Sequence, residues 1–305
     1  MWFSNLRLFR LTKSFSQTPE ELGEALQAHA FRACGSLELS SYGWVSPMGR
    51  HGSELVHAAN GNIMICARKE EKILPAAAIR EIVNEKALEI EEAQARPVRR
   101  KERDAIKDEI IQDLLPRALK KSSLTFAYIS PRDNLVVINT AGANKAEELL
   151  SYLRGSIGSL ALVPISLTAT PTAVMTRWLT GEVVPAEFEL LDECELREKG
   201  DDGSIIRCKR QDLASDEIQV HLDAGKQAVK LAISWQEHVS CIINEDFSLK
   251  RLRFGEEVLE KSGEADDAGP VAAFDQDFTI MTLELARFIP KLIEAFGGEN
   301  AIEQI

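Results

Sequence analysis

The apolar positions of this chain change period at well-marked places, and the periods predict its elements. Residues 2–13 alternate apolar and polar side chains, the spacing of a half-buried strand. Thr18-Pro19-Glu20-Glu21 predicts a helix start: Thr18 as cap, Pro19 at the first helical position, two acids at the positive end of the dipole. Leu22, Ala25, Leu26 and Ala30 give that helix its core face. The aromatic stretch Ser41–Gly49 reads as a loop, and Asn60-Gly61 as a turn ahead of a strand, Asn62–Arg68.

From Ala67 to Lys121 two helical patterns flank a basic knot, Arg96–Arg103. Ile79, Ile82, Val83, Ala87 and Ile90 recur at helical steps in the first, and Ile106, Ile110, Ile111, Leu114 and Leu115 in the second. Pro97 has no amide proton and restricts Arg96, so a kink or a helix–turn–helix is expected. Narrow apolar faces and densely charged remaining faces describe a helical arm standing out from a body. An ordinary solvated hairpin of mixed charge has the same pattern.

After the arm, Leu124–Ser130 and Leu135–Thr140 predict a hairpin through Pro131-Arg132-Asp133-Asn134, followed by a helix, Lys145–Ser156, and a strand, Leu160–Ile165. A second lobe is expected from about Thr168–Pro171, with a helix at Thr172–Leu179 and strands at Phe188–Leu191 and Ser204–Lys209. Ser215-Asp216-Glu217 predicts a long helix carrying Ile218, Leu222, Val229 and Ile233 on one side, with Lys226 and Lys230 four apart on its exposed face. His238–Ile243 and Phe247–Phe254 read as a hairpin, and Gly255–Gly269 as an acidic mobile loop. Phe278, Met281, Leu285, Phe288, Ile289, Leu292 and Phe296 form the apolar face of a last helix, ended by Gly297-Gly298. The fold class expected is α+β: an elongated, multi-lobed subunit with two antiparallel, hairpin-built sheets. Its divisions are a central lobe (1–75 and 117–168), a projecting helical arm (76–116) and a second lobe with the C-terminal helix (169–305).

The chain has 305 residues and a net charge of −12. No apolar run reaches the roughly 18 residues of a membrane span, and the N-terminus reads as a strand rather than a signal peptide. The five cysteines (Cys34, Cys66, Cys194, Cys208, Cys241) are scattered and never at C-x-x-C spacing, as expected of reduced thiols in a cytosolic protein. Catalytic signatures are missing. Gly142-Ala143-Asn144-Lys145 lacks the spacing of a phosphate loop, the five histidines form no pair at metal spacing, and no nucleophile motif occurs. A non-enzymatic protein without metal or cofactor is expected.

Charge, by contrast, is segregated. Arg96 to Lys121 holds nine Lys/Arg against five Asp/Glu, while Glu256 to Asp267 holds six acids and one lysine. The cations cluster as Arg96, Arg99, Arg100, Lys101 and Arg103; as Arg117, Lys120 and Lys121; as Arg207, Lys209 and Arg210 beside Gln211; as Lys226 and Lys230; and as Lys250, Arg251 and Arg253. Such clusters suit phosphate binding, because neutralising a nucleic-acid backbone releases condensed counterions without regard to sequence. Each alone is also what a solvated face looks like, and their joint meaning depends on convergence in space. No base-reading motif is present, so backbone readout of a duplex is the expected mode.

Ordered segments along nearly the whole chain carry a resemblance. They include Trp2–Leu6, Cys34-Gly35-Ser36, Gly43–Gly49, Asn60–Pro75, Glu92–Arg96, Leu114–Ala118, Leu153–Leu160, Leu190–Glu193, Arg207–Leu213, Ala224-Gly225-Lys226, Ser248–Leu252 and Ile293–Glu299. The sequence resembles the RdgC family, recombination-associated, nucleoid-linked DNA-binding proteins of bacteria. The resemblance implies a cytoplasmic homodimer closed into a ring by two contacts, with a positively lined hole that encircles duplex DNA. It implies little sequence preference, antagonism of RecA-type recombinase filaments and no catalysis. Carried over by position, Arg96, Arg210 and Gln211 match family DNA contacts. Leu119 matches a dimer contact at which the family can carry an aromatic residue; leucine keeps the apolar character and loses ring area. Pro97 departs from the family pattern. The other cations named rest on charge alone. The competing expectation is a regulator that touches the recombinase directly, its DNA binding incidental.

Overall fold

The computed structural model describes residues 1–200, 202–263 and 269–301. In chain order the first half contains β1 (Asn5–Leu11), α1 (Pro19–Gln27), β2 (Ser40–Val45), β3 (Val56–Ala59), β4 (Asn62–Ile73), α2 (Ala76–Gln94), α3 (Arg100–Leu114), β5 (Leu119–Ser130), β6 (Leu135–Ile138), α4 (Ala143–Ile157) and β7 (Leu162–Pro164). The second contains α5 (Pro171–Leu179), β8 (Phe188–Arg197), β9 (Ile205–Lys209), α6 (Asp216–Asp223), β10 (Gln227–Trp235), β11 (Val239–Asn244), β12 (Leu249–Phe254), α7 (Glu256–Gly263) and α8 (Pro270–Ala295). The fold is α+β, and among the described residues every strand pairing is antiparallel.

The two sheets expected from the hairpins are joined into one. Its strand order is β2-β4-β5-β6-β1-β12-β11-β10-β8-β9, with β3 beside β4 and β7 beside β1. The join is made by β1. One edge bonds β6 through Arg7–Arg10, and the other is shared end to end by β12, at Asn5 and Leu6, and β7, at Phe9–Leu11.

Side chains alternate across a strand, and the alternation sorts the apolar residues into two cores. Leu6, Leu8, Met64, Tyr128, Leu135 and Val137 join a core under α8, together with the buried residues of the second half. Their neighbours Phe9, Ile63, Ile65, Ala127, Ile129, Val136 and Ile138 join a core under α1 and α4. This explains why Leu135–Ile138 shows no polar alternation: both of its faces are covered. In the second half, helices cover only one face. The side chains of Cys194, Leu196, Leu231, Ile233, Cys241, Ile243, Leu249 and Leu252 point into that core; among the described residues no helix adds its buried side chains to the opposite face of β8–β12, where Arg207, Lys209 and Arg253 are exposed beside the buried Ala232 and Ile242.

Local signals explain several boundaries. Thr18 caps α1 and Pro19 opens it, as the sequence predicts, and Glu21 closes a reciprocal capping box by accepting from the Thr18 backbone N–H. At Arg96–Arg99 the chain makes a turn, with Ala95 at φ +48° closing α2 and Arg99 in extended conformation opening α3. Pro97 lies in that turn, so a helix–turn–helix replaces the alternative of a kinked helix. The two helices share a small core of Ile79, Val83, Ala87, Val98, Ile106 and Ile110, which draws only on residues 74–114 among those described.

Five expectations are corrected. The stretch Ser41–Gly49, read as a loop, is strand β2 as far as Val45, because Ser40–Val45 pairs residue by residue with β4. Strand β4 runs on to Ile73, because β2 and β5 flank it on both sides, and pairing overrides the helix-like composition of Ala67–Ile73. Strand β5 begins at Leu119, so Lys120 and Lys121 stand on a strand, not at the end of the arm. Helix α6 stops at Asp223, and Gly225 at φ +88° turns the chain into β10; Lys226 and Lys230 therefore share no helix face. The acidic segment after Gly255 forms α7 as far as Gly263, and the rest of the expected loop, up to residue 268, lies outside the described residues.

Gly43 marks a close approach. A Cβ built there would stand 2.4 Å from the Phe31 Cα and 2.6 Å from its nitrogen, where β2 runs against Ala30 and Phe31. Both atoms are backbone, so relief requires moving a strand. Gly43→Ala is expected to cost about 1–3 kcal/mol, the range for overpacking, read as a lowered denaturation midpoint; an unchanged midpoint would refute the close approach.

Candidate nucleic-acid interface

The open face of β8–β12 gathers cations from strands far apart in sequence. On β9, Arg207 and Lys209 point outward while Ile206 and Cys208 pack on the core. Directly opposite them on β8 stand Glu195 and Glu193. Glu195 Oε2 accepts hydrogen bonds from Arg207 Nε and Lys230 Nζ, each at 2.8 Å. Burial pushes the Glu195 carboxyl up, but the hydrogen bonds and charges of Lys230 and Arg207 outweigh it, and the net displacement is downward. Glu193 accepts a hydrogen bond from Arg251, with Lys209 at 3.8 Å. Arg251 occupies a β-bulge: Lys250 and Arg253 pair with Ile242 and Ser240, so three steps on β12 oppose two on β11, and Arg251 takes φ +51°.

Beyond the end of β9 the chain turns sharply at Arg210, a non-glycine residue at φ +55°. Arg210 and Gln211 line an open cleft of about 700 Å³ with Asp192, Gln219 and the C-terminal end of α5. Gln211 is anchored, its side chain donating to Glu217 at 3.1 Å and its backbone N–H to the Asp192 carbonyl at 3.2 Å. Arg210 is exposed and, among the described residues, has no ion-pair or hydrogen-bond partner for its side chain.

The helices α2 and α3 and the turn between them carry a separate group. Arg96 is held by Glu102 through both terminal nitrogens, each at 2.8 Å, and by Gln94 through Nε at 2.8 Å. The hydrogen bond from Arg96 holds the Glu102 carboxyl below its ordinary range. Arg99, Arg100 and Lys101 are exposed around the turn, and Arg103 is half-buried, donating to Asn84 at 3.1 Å. Arg117 is exposed just before β5, on which Lys120 pairs with the buried Glu70 at 3.1 Å. Leu119 is 76% exposed and lies directly opposite the exposed Ile73 at the end of the β4–β5 ribbon.

Thus Arg207, Lys209, Lys230 and Arg251 come together through Glu193 and Glu195, with Arg210 and Gln211 following β9. The cations of residues 96–120 share no ion pair with them among the described residues. Lys226 stands apart as well: it is largely buried, hydrogen-bonds Ser204 and lies 3.9 Å from Glu198. The organising acids were not singled out from the sequence. The signal for them was Glu193-Cys194-Glu195 against Arg207-Cys208-Lys209, two charged residues at strand spacing with opposite sign.

Among the described residues no three His, Cys, Asp or Glu side chains form a group that could hold a metal ion. No helix among the described residues is long and apolar enough to cross a membrane. All five cysteines are free thiols.

Comparison with known proteins gives concordant results. The family profile described as "Putative exonuclease, RdgC" matches residues 1–299. Proteins named "Recombination-associated protein RdgC" are similar throughout: that of Aeromonas hydrophila subsp. hydrophila is 48% identical over 300 residues, covering 98% of this chain and 99% of the relative. That of Tolumonas auensis is 46% identical over 301 residues (99% and 100%), and that of Yersinia pestis 44% over 299 residues (98% and 99%). With the profile and the relatives both spanning nearly its full length, this chain belongs to the RdgC family, a family of recombination-associated proteins.

Proposed function

We propose that this protein binds double-stranded DNA through its phosphate backbone, without reading base sequence and without cutting it, and so limits RecA-type recombinase filaments in the bacterial cytoplasm and nucleoid. The observation that carries the reading is the uncovered face of β8–β12. A chain of net charge −12 turns Arg207, Lys209, Lys230, Arg251 and Arg253 outward on one sheet face, with Arg210 beside them. Against Glu189, Glu193 and Glu195 on the same face, these six cations leave a positive excess, and such an excess on an acidic protein suits a polyanion better than a small ligand. Lys226 contributes least to the proposal, since its ammonium is turned toward Ser204 and Glu198.

The protein acts in this reading as a homodimer closed into a ring around the duplex. Leu119 and Ile73, an apolar pair exposed on neighbouring strands, serve one of the two contacts. The arm cations Arg96, Arg99, Arg100, Lys101, Arg103, Arg117 and Lys120 then face the hole of the ring together with the open sheet face.

The test is a salt titration on duplexes of unrelated sequence. Log affinity should fall linearly with log salt at about 0.9 per phosphate neutralised. A slope steeper than about 5, equal for the different duplexes, is the expected result. A flat slope or a strong sequence preference overturns the reading. Release of nucleotides from duplex ends in the presence of a divalent cation would replace binding by the exonuclease activity in the family description.

A further inference from the structure

We infer that Glu195 is a positioning residue for the DNA-facing surface: its carboxylate fixes Arg207 and Lys230 so that their remaining donors point at a phosphate. The inference rests on the duplex-binding reading and assigns an acid a supporting role within it.

The geometry is specific to Glu195. Its side chain is only 11% exposed, although it belongs to the uncovered face, because Arg207 and Lys230 close over it from the strands on either side. A carboxylate so placed stays charged when cations satisfy it, and Glu195 receives two charge-assisted hydrogen bonds on one oxygen. The Arg207 side chain nevertheless remains 66% exposed. Glu195 engages only its Nε, which leaves the terminal pair of nitrogens, the end that grips a phosphate with two parallel hydrogen bonds. Lys230 likewise uses one ammonium proton of three on Glu195.

Long cationic side chains lose considerable rotamer freedom when they bind. A buried anchor on the strand between them removes part of that loss beforehand, as an outer-shell partner orients a ligand. Glu193, two residues earlier, does not fill the same role. Its side chain is twice as exposed, at 23%, and it holds one cation rather than two by hydrogen bonds: Arg251 donates to it, while Lys209 stands 3.8 Å away.

The consequence runs against simple electrostatics. Removing a negative charge from a DNA-facing surface ought to raise affinity. With Glu195 as an anchor, Glu195→Gln lowers affinity several-fold and reduces the salt slope by about one to two, because contacts from Arg207 and Lys230 are lost. Glu189→Gln is the control, an exposed acid further along β8 with no ion pair among the described residues; it should leave the slope unchanged. Combining Glu195→Gln with Arg207→Gln and Lys230→Gln should add nothing to the loss caused by the two cation substitutions.

A second measurement uses the unaltered protein. On saturation with duplex, the Arg207 Nε–H resonance should keep its hydrogen-bonded shift while the terminal nitrogen resonances move. Release of that Nε–H from Glu195 on binding would overturn positioning and make the carboxylate a competitor of phosphate. An unchanged or steeper slope for Glu195→Gln would overturn it too. A flat slope in the unaltered protein would instead remove the duplex-binding reading itself.

Discussion

Arg210→Gly is expected to cut duplex affinity about ten- to hundredfold while leaving the protein at least as stable as before. A hydrogen bond to a charged group is worth about 1.5–3 kcal/mol, and 1.4 kcal/mol is about a factor of ten in affinity. Arg210 has no carboxylate to satisfy it among the described residues, so its whole charge is available to a phosphate. Its backbone lies at φ +55°, where a residue with a Cβ is strained by about 1–2 kcal/mol and glycine is not. Glycine gives back part of this through its freer unfolded state, so a stability change between zero and about +1 kcal/mol is expected. Denaturant titration and duplex binding on the same variant separate the two effects. A loss of stability in step with affinity would mean that Arg210 is structural. Arg96→Gln should cost less, because Arg96 must first leave Glu102 and Gln94. If recombinase inhibition survives in a variant that no longer binds duplex, direct contact with the recombinase is the mechanism.

Much of this architecture was legible in the chain, for physical reasons that can be named. The Thr18 cap of α1, the apolar face of α8 and the turn at Pro131–Asn134 are local devices, written in residues close to one another in sequence. Lys226 and Lys230 were misplaced because β10 is apolar on both faces. Ala228, Val229, Leu231, Ala232 and Ile233 satisfy a helical spacing and a strand equally well, and Gly225 was the discriminating residue. The single sheet could not be read at all, since it depends on β1 bonding β12 across more than two hundred residues. The site shows the same division. Its cations were visible as clusters, but which face of the sheet is uncovered follows only from the placement of α8 and α4. The acids that hold the cations become meaningful only once β8 and β10 are neighbours.

The second large effect tests whether the join through β1 makes the two halves cooperative. Phe288 on α8 is fully buried, with its ring centroid 5.7 Å from Trp235 and 6.5 Å from Phe188. Phe288→Ala should cost about 3–5 kcal/mol, the lost transfer energy plus the cavity left behind. Where that loss is felt is the informative part. The core that contains Phe288 also contains Leu6, Leu8, Met64 and Tyr128 from the first half, and alternate residues of the same strands build the core under α1 and α4. Emptying space under α8 therefore weakens the support behind β1, β4, β5 and β6 as well as behind β8 and β10. Trp44 lies in the first-half core and Trp235 beside Phe288, so variants retaining one tryptophan report the two regions separately. Coincident midpoints, both shifted by Phe288→Ala, are the expected result, because a sheet continuous through β1 and a core shared across it leave no surface along which the halves can part. A Trp44 transition that stays in place while that of Trp235 moves would show instead that the two hydrogen-bonded positions at Asn5 and Leu6 are too weak a seam, and that the face bearing Arg207, Lys230 and Arg210 can unfold by itself.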